Sequence, residues 1–192
     1  MLVVECFPLL IFRSMTTRVP LKLRSRLQRV KLFLCDVDGV LTDGAVWMGR
    51  EGETKRFNIR DGLGLKIMQR CGIKVGWVSR RPSAATKERA QDLKIDFLIQ
   101  SDSGKVASVE TILQQTGLNW EDVCFIGDDV VDICVLKRAG LAIVVGDGTD
   151  DTKEHAHYVT QAKGGHGAVR EAVELILNAQ NKWQKVIADY AE

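Results

Sequence analysis

The apolar run Lys31-Leu32-Phe33-Leu34-Cys35 ends abruptly in Asp36-Val37-Asp38-Gly39, and this junction constrains the fold more than any other segment. A short apolar run closed by a turn-forming glycine predicts one buried strand. The two aspartates then stand at its carboxyl end, where open α/β sheets place their ligands. Carboxylates two residues apart, with Gly39 and Gly44 permitting tight turns, repel each other unless a cation lies between them. The pattern points to a magnesium site beside a nucleophilic carboxylate that becomes phosphorylated during turnover.

Phosphoryl transfer makes further demands: another metal ligand, a cation and a hydroxyl, all aimed at the phosphoryl oxygens. The chain supplies each after a plausible strand or at a helix start. Residues 72–78 run into Ser79, and residues 121–126 run into Gly127-Asp128-Asp129, with Asp132 one helical turn on. Ser103-Gly104-Lys105 opens an amphipathic helix. Around these, the spacing predicts a β-hairpin from 45–48 and 53–57, helices over 61–70, 83–93, 106–115, 129–138, 149–155 and 167–179, and strands over 96–99, 141–145 and 158–159. Alternating strands and helices predict an α/β fold, a three-layer Rossmann-like parallel sheet.

The 192 residues suit one domain with a sizeable core. Residues 1–31 hold seven Lys/Arg and one acid, a local +6 within a formal net charge of +2, which leaves −4 on the remainder. That remainder offers no basic surface for nucleic acid. Residues 2–12 are apolar but too few to span a bilayer, so no membrane partner is expected. We read residues 1–29 as a basic extension containing a short amphipathic helix over 19–27, residues 30–180 as the domain, and 181–192 as a tail. The five cysteines form no CxxC pair, and Cys35 and Cys124 read as small buried hydrophobes of a reducing compartment.

The segments DVDGVLTDG (36–44), FNIRDGLGLK (57–66), VSRRPS (78–83), GK (104–105), GDDVVD (127–132), AHYVT (156–160) and GGHGAVRE (164–171) resemble the haloacid dehalogenase superfamily. More narrowly, they resemble its 3-deoxy-D-manno-octulosonate 8-phosphate phosphatase family, over about residues 30–180. The resemblance implies a fold of the haloacid dehalogenase type with a hairpin inserted after the first strand and no cap domain. It also implies a cytoplasmic homotetramer, serving lipopolysaccharide biosynthesis, whose hairpins form a shared barrel over neighbouring sites. Asn58, Ile59, Arg60, Asp61, Gly62, Lys66, Arg81 and Arg89 match positions that line the sugar-acid phosphate site. Two residues depart from the family pattern: Arg80 stands at a usual glycine, and His166 at a usual arginine.

In the expected mechanism Asp36 attacks phosphorus and Asp38 protonates the leaving oxygen, then activates water. Magnesium is held by Asp36, Asp128 and the Asp38 carbonyl, while Ser79 and Lys105 bind phosphoryl oxygens. Asp129 or Asp132 orients Lys105 or a metal-bound water. Two alternatives are a phosphatase of nonulosonate 9-phosphates and a non-catalytic oligomeric module on the same fold; retention of all five active-site residues argues against the latter.

Overall fold

In the computed structural model, residues 20–50 and 52–191 are described; the expectations for residues 1–19 lie outside them. Helix α1 (Leu21–Arg29) leads into strand β1 (Leu32–Cys35), a hairpin of β2 (Trp47–Gly49) and β3 (Gly52–Thr54), and helix α2 (Ile59–Arg70). Then follow β4 (Lys74–Ser79), α3 (Ala84–Leu93), β5 (Phe97–Gln100) and α4 (Lys105–Thr116). The remaining elements are β6 (Val123–Gly127), α5 (Ile133–Leu136), β7 (Leu141–Val144), α6 (Asp150–Lys153), β8 (Tyr158–Val159), α7 (Ala168–Ala179) and α8 (Trp183–Ala191).

The six-stranded sheet has the order β5-β4-β1-β6-β7-β8, and every pairing in it is parallel. The chain lays β4 and β5 on one side of β1, then crosses back to lay β6, β7 and β8 on the other. Strand order therefore reverses at β1, and a crevice opens there beyond the carboxyl ends of the strands. All four residues of β1 are buried, because helices cover both faces of the sheet. Phe33 and Cys35 pack with residues of α2 and α7, whereas Leu32 and Leu34 pack with residues of α4 and α5. Burying one such leucine or phenylalanine stabilises the fold by roughly 1.5–3 kcal/mol. Cys35 and Cys124 are fully buried free thiols, as their strand positions predict.

Several boundaries differ from the sequence reading. Helix α2 begins at Ile59 rather than 61, because the Asn58 side chain accepts the Arg60 N–H and caps it. The helix expected over 129–138 divides into a 3₁₀ turn, Val130–Asp132, and the short α5, since Asp129 and Asp132 cap that turn reciprocally. The hairpin strands are shorter than expected: beyond Thr54 the chain turns inward, burying Lys55 and stacking Phe57 on Trp77 at 6.1 Å. Trp47 and Met48 stay 72% and 76% exposed at the hairpin.

Two helices lie outside the 30–180 bounds. Leu27 of α1 and Trp183 and Val186 of α8 join the α2/α7 core. Gln180 donates to the carbonyls of Leu27 and Val30, and the Arg170 guanidinium lies 5.0 Å from the Trp183 ring centre. Residues 20–29 and 181–191 are thus packed against the domain; α1 lies where the sequence predicts a short amphipathic helix over 19–27, whereas α8 stands in the segment read as a tail.

Candidate active site

Asp36 leaves β1 while its N–H still donates to Ile126 of β6, so the sheet itself aims its carboxylate into the crevice. Its Oδ1 accepts the Val37 N–H at 2.7 Å and its Oδ2 lies 2.6 Å from the Lys105 ammonium. The loop beyond is tied by Thr42, fully buried, whose hydroxyl accepts the N–H groups of Gly39 and Gly44. Gly39 has φ +86°, and a Cβ there would lie 2.0 Å from Asp128 Oδ2. The glycine therefore both makes the turn and lets the Asp128 carboxylate approach the backbone.

Lys105 opens α4 after Gly104. A lysine in the first turn opposes the helix dipole, but here it bridges Asp36 and Asp132, 2.6 Å from each. Burial alone would lower its pKa; the two carboxylates outweigh that and hold it above the ordinary lysine value. Asp132, fully buried, accepts from the Lys105 ammonium on Oδ1 and from the Asp128 N–H on Oδ2 at 3.0 Å. Asp129 is exposed and accepts the N–H of Val130. Asp132, not Asp129, is thus the residue that orients Lys105.

Carboxylate oxygens of Asp36, Asp128 and Asp132 lie within 4.8 Å of one another. Asp128 Oδ1 is buried with no hydrogen-bond partner. Burial, together with Asp132 and Asp36, pushes the Asp128 pKa up to about 8, and burial with Asp132 also raises Asp36. An all-oxygen donor set, an orphaned carboxylate oxygen and mutual repulsion fit a hard divalent cation such as magnesium.

The register Cys35↔Trp77 brings Ser79, at the end of β4, level with the Asp36-Val37-Asp38 loop. Its hydroxyl accepts the Arg81 N–H and donates to the Arg81 carbonyl. Asp38 Oδ1 lies 2.6 Å from the ammonium of Lys55, a residue the sequence reading left within a hairpin strand. Its only sequence signal is weak: a lysine two residues from Glu53, on the same face of an alternating strand.

The positions taken from the resemblance divide. Asn58 donates to the Gly165 carbonyl, and the 164–167 loop packs onto the catalytic turn so closely that a Cβ on Gly164 would lie 1.7 Å from the Gly39 carbonyl oxygen. Asn58 and Arg60 line an open cleft of ≈ 370 Å³ with His166 and Arg170. Ile59 is exposed at the same helix end. Asp61 is 1% exposed and its carboxylate accepts the Gly167 and Arg170 N–H groups, capping α7 from α2. Gly62 is also buried, where a Cβ would meet Arg89 at 2.7 Å, so its role is close helix packing. Arg89 pairs with Asp92 and Arg81 with Glu53; Lys66 is half-buried two turns along α2, and Arg80 is exposed. His166 lies 3.2 Å from Arg56, which pairs with Asp43.

Comparison with known proteins agrees with this geometry. A family model described as haloacid dehalogenase-like hydrolase matches residues 95–172. The chain is 40% identical over 158 residues to the 3-deoxy-D-manno-octulosonate 8-phosphate phosphatase KdsC of Yersinia pestis, covering 82% of this chain and 84% of the relative. It superposes with a TM-score of 0.85 and 37% identity on the Moraxella catarrhalis phosphatase of that name in complex with magnesium, phosphate and a KDO molecule, covering 88% of this chain and 98% of that one. A cobalt-bound phosphatase of the same kind from Haemophilus influenzae gives a TM-score of 0.79 at 35% identity, covering 82% and 92%.

Proposed function

Because the chain belongs to the 3-deoxy-D-manno-octulosonate 8-phosphate phosphatase family of haloacid dehalogenase-like hydrolases, we propose that it is a magnesium-dependent phosphatase that releases the free sugar acid and inorganic phosphate from that substrate. The observation that carries this reading is the convergence of Asp36, Asp128, Asp132 and Lys105 at the strand-order reversal.

Asp36 is the nucleophile: it attacks phosphorus in line, and the P–O bond to the sugar breaks as a phosphoaspartate forms. Asp38 gives its proton to the leaving oxygen and then takes one from the water that hydrolyses the acyl-phosphate. Ser79 and Lys105 bind the phosphoryl oxygens, with Asp132 holding the lysine at 2.6 Å. Asp36, Asp128 and the Asp38 carbonyl would hold magnesium. Bound there, the cation would neutralise charge on the nucleophile and the phosphoryl group.

Asn58 and Arg60 face the sugar-acid end, where a guanidinium suits a carboxylate. The exposed Trp47 and Met48 support assembly through the hairpins into a homotetramer that closes neighbouring sites. We place the enzyme in the cytoplasm, in lipopolysaccharide biosynthesis. Among the described residues no helix is long and apolar enough to cross a membrane.

Phosphate release from a panel of sugar phosphates with magnesium tests the assignment. Preference for the 3-deoxy-octulosonate 8-phosphate is expected. Preference for a nonulosonate 9-phosphate would move the substrate, and no turnover of any phosphomonoester would overturn the reading.

A further inference from the structure

Lys55 has no place in the mechanism above, yet it is the most unusual cation near the site. Its side chain is fully buried, and its ammonium contacts groups from three elements: Asp38 Oδ1 at 2.6 Å, the Thr86 hydroxyl of α3 at 3.2 Å and Glu53 Oε1 of β3 at 3.9 Å. Thr86 is itself fully buried, and the second Glu53 oxygen is engaged by Arg81. Burying an ammonium is costly, and an apolar side chain of similar volume serves as well or better where only packing is required. What the lysine does that a methionine could not is pair its charge with one buried oxygen of Asp38, which has no hydrogen-bond partner.

We propose that Lys55 is the positioning residue for Asp38, holding Oδ1 so that Oδ2 is the oxygen that gives and takes the proton. Without that contact the carboxylate, whose side chain is 25% exposed, rotates freely and presents either oxygen in either direction. The lysine transfers no proton; in the first half-reaction the proton passes from Asp38 Oδ2 to the departing sugar oxygen as the P–O bond breaks. Because Lys55 directly follows β3, the same contact fixes the hairpin stem relative to the catalytic loop. This inference rests on the acid–base role proposed for Asp38.

The test compares two leaving groups in the pre-steady state. A sugar alkoxide needs a proton on departure; p-nitrophenolate does not. Lys55→Met is expected to slow formation of phosphoenzyme from the sugar phosphate by about 10–100-fold, with KM within about twofold, while the p-nitrophenolate burst rate from p-nitrophenyl phosphate is unchanged. Thr86→Val removes only the hydroxyl that orients the ammonium. It should shift the same ratio in the same direction by about 2–10-fold, and it serves where Lys55→Met does not fold. Equal slowing of both substrates, or no slowing of the sugar phosphate, would overturn the proposal. Asp38→Asn separates the two layers. If it shows the leaving-group discrimination and Lys55→Met does not, only the lysine's role falls. If Asp38→Asn shows none, the acid role of Asp38 falls with it.

Discussion

Asp128 should destabilise the metal-free protein, and replacing it should make that protein more stable as it makes the enzyme inactive. Burial and its two acidic neighbours raise the Asp128 pKa from 3.8 to about 8 in the folded state. The folded protein therefore retains a proton that the unfolded chain loses above about pH 4, and stability falls as pH rises from about 4 to 8. A rise of that size corresponds to roughly 5–6 kcal/mol at most. Water access and relaxation around a partly open carboxylate reduce this to about 2–3 kcal/mol. Asp128→Asn cannot ionise and escapes the penalty. In chelator at pH 8.5 its melting temperature should exceed the parent's by about 5–10 °C, and at pH 5 the gap should be much smaller. Magnesium at a hundred times its dissociation constant should then return about 2.7 kcal/mol to the parent and nothing to the variant, bringing the two nearly level. Melting curves at both pH values, with chelator and with magnesium, supply the measurement. Equal melting at pH 8.5 in chelator, or a gap that does not widen from pH 5, would refute the electrostatic reasoning.

Asp36→Asn should lower phosphate release by about 10⁴-fold or more and leave no hydroxylamine-labile phosphoenzyme, which acid-quenched, radiolabelled substrate would reveal. Gly39→Ala drives a methyl group against Asp128 at a positive φ. Strain of about 1–2 kcal/mol should lower the melting temperature, and the magnesium needed for half-maximal activity should rise about tenfold. Asp61→Asn should lose about 1–3 kcal/mol of stability, since two partly buried N–H groups at the start of α7 lose a charged acceptor, while KM stays within about twofold. A tenfold rise in KM without a change in melting would instead make Asp61 a substrate ligand.

The fold was legible because its central strands carry no ambiguity. A fully apolar run ending in Asp36, or in Gly127-Asp128, can only be a buried parallel strand delivering a carboxylate to the sheet edge. Lys105 and Ser79 were legible for the same reason, as polar residues at element boundaries. Lys55 was not, since a lysine near a hairpin is normally solvated, and only the inward turn of the chain after Thr54 buries it. Asp61 has a structural contact that was equally illegible. It stands in a segment carried over from a family resemblance, whereas its physical work is capping a helix more than a hundred residues away, a tertiary contact that local spacing does not encode. The 3₁₀ turn over Val130–Asp132 has a related cause: Asp132 turns back to accept the Asp128 N–H, and that demand overrides the helical pattern that follows it.

Charge in the crevice also dictates the order in which ligands arrive. Three carboxylates (Asp36, Asp128 and Asp132) face one ammonium at Lys105, so the fully ionised cluster carries a formal −2. Each like-charge pair about 4 Å apart opposes phosphate by about 4 kcal/mol at an effective dielectric constant of 20, and Lys105 is already shared between two acids. A divalent cation bound there would cancel the excess and leave the lysine available to phosphoryl oxygens. Inorganic phosphate titrated calorimetrically above about pH 8, where Asp128 is ionised, should therefore bind at least about 100-fold more weakly in chelator than in saturating magnesium. Equal affinity would mean that Ser79 and Lys105 suffice to hold phosphate. The acidic cluster would then serve the nucleophile alone.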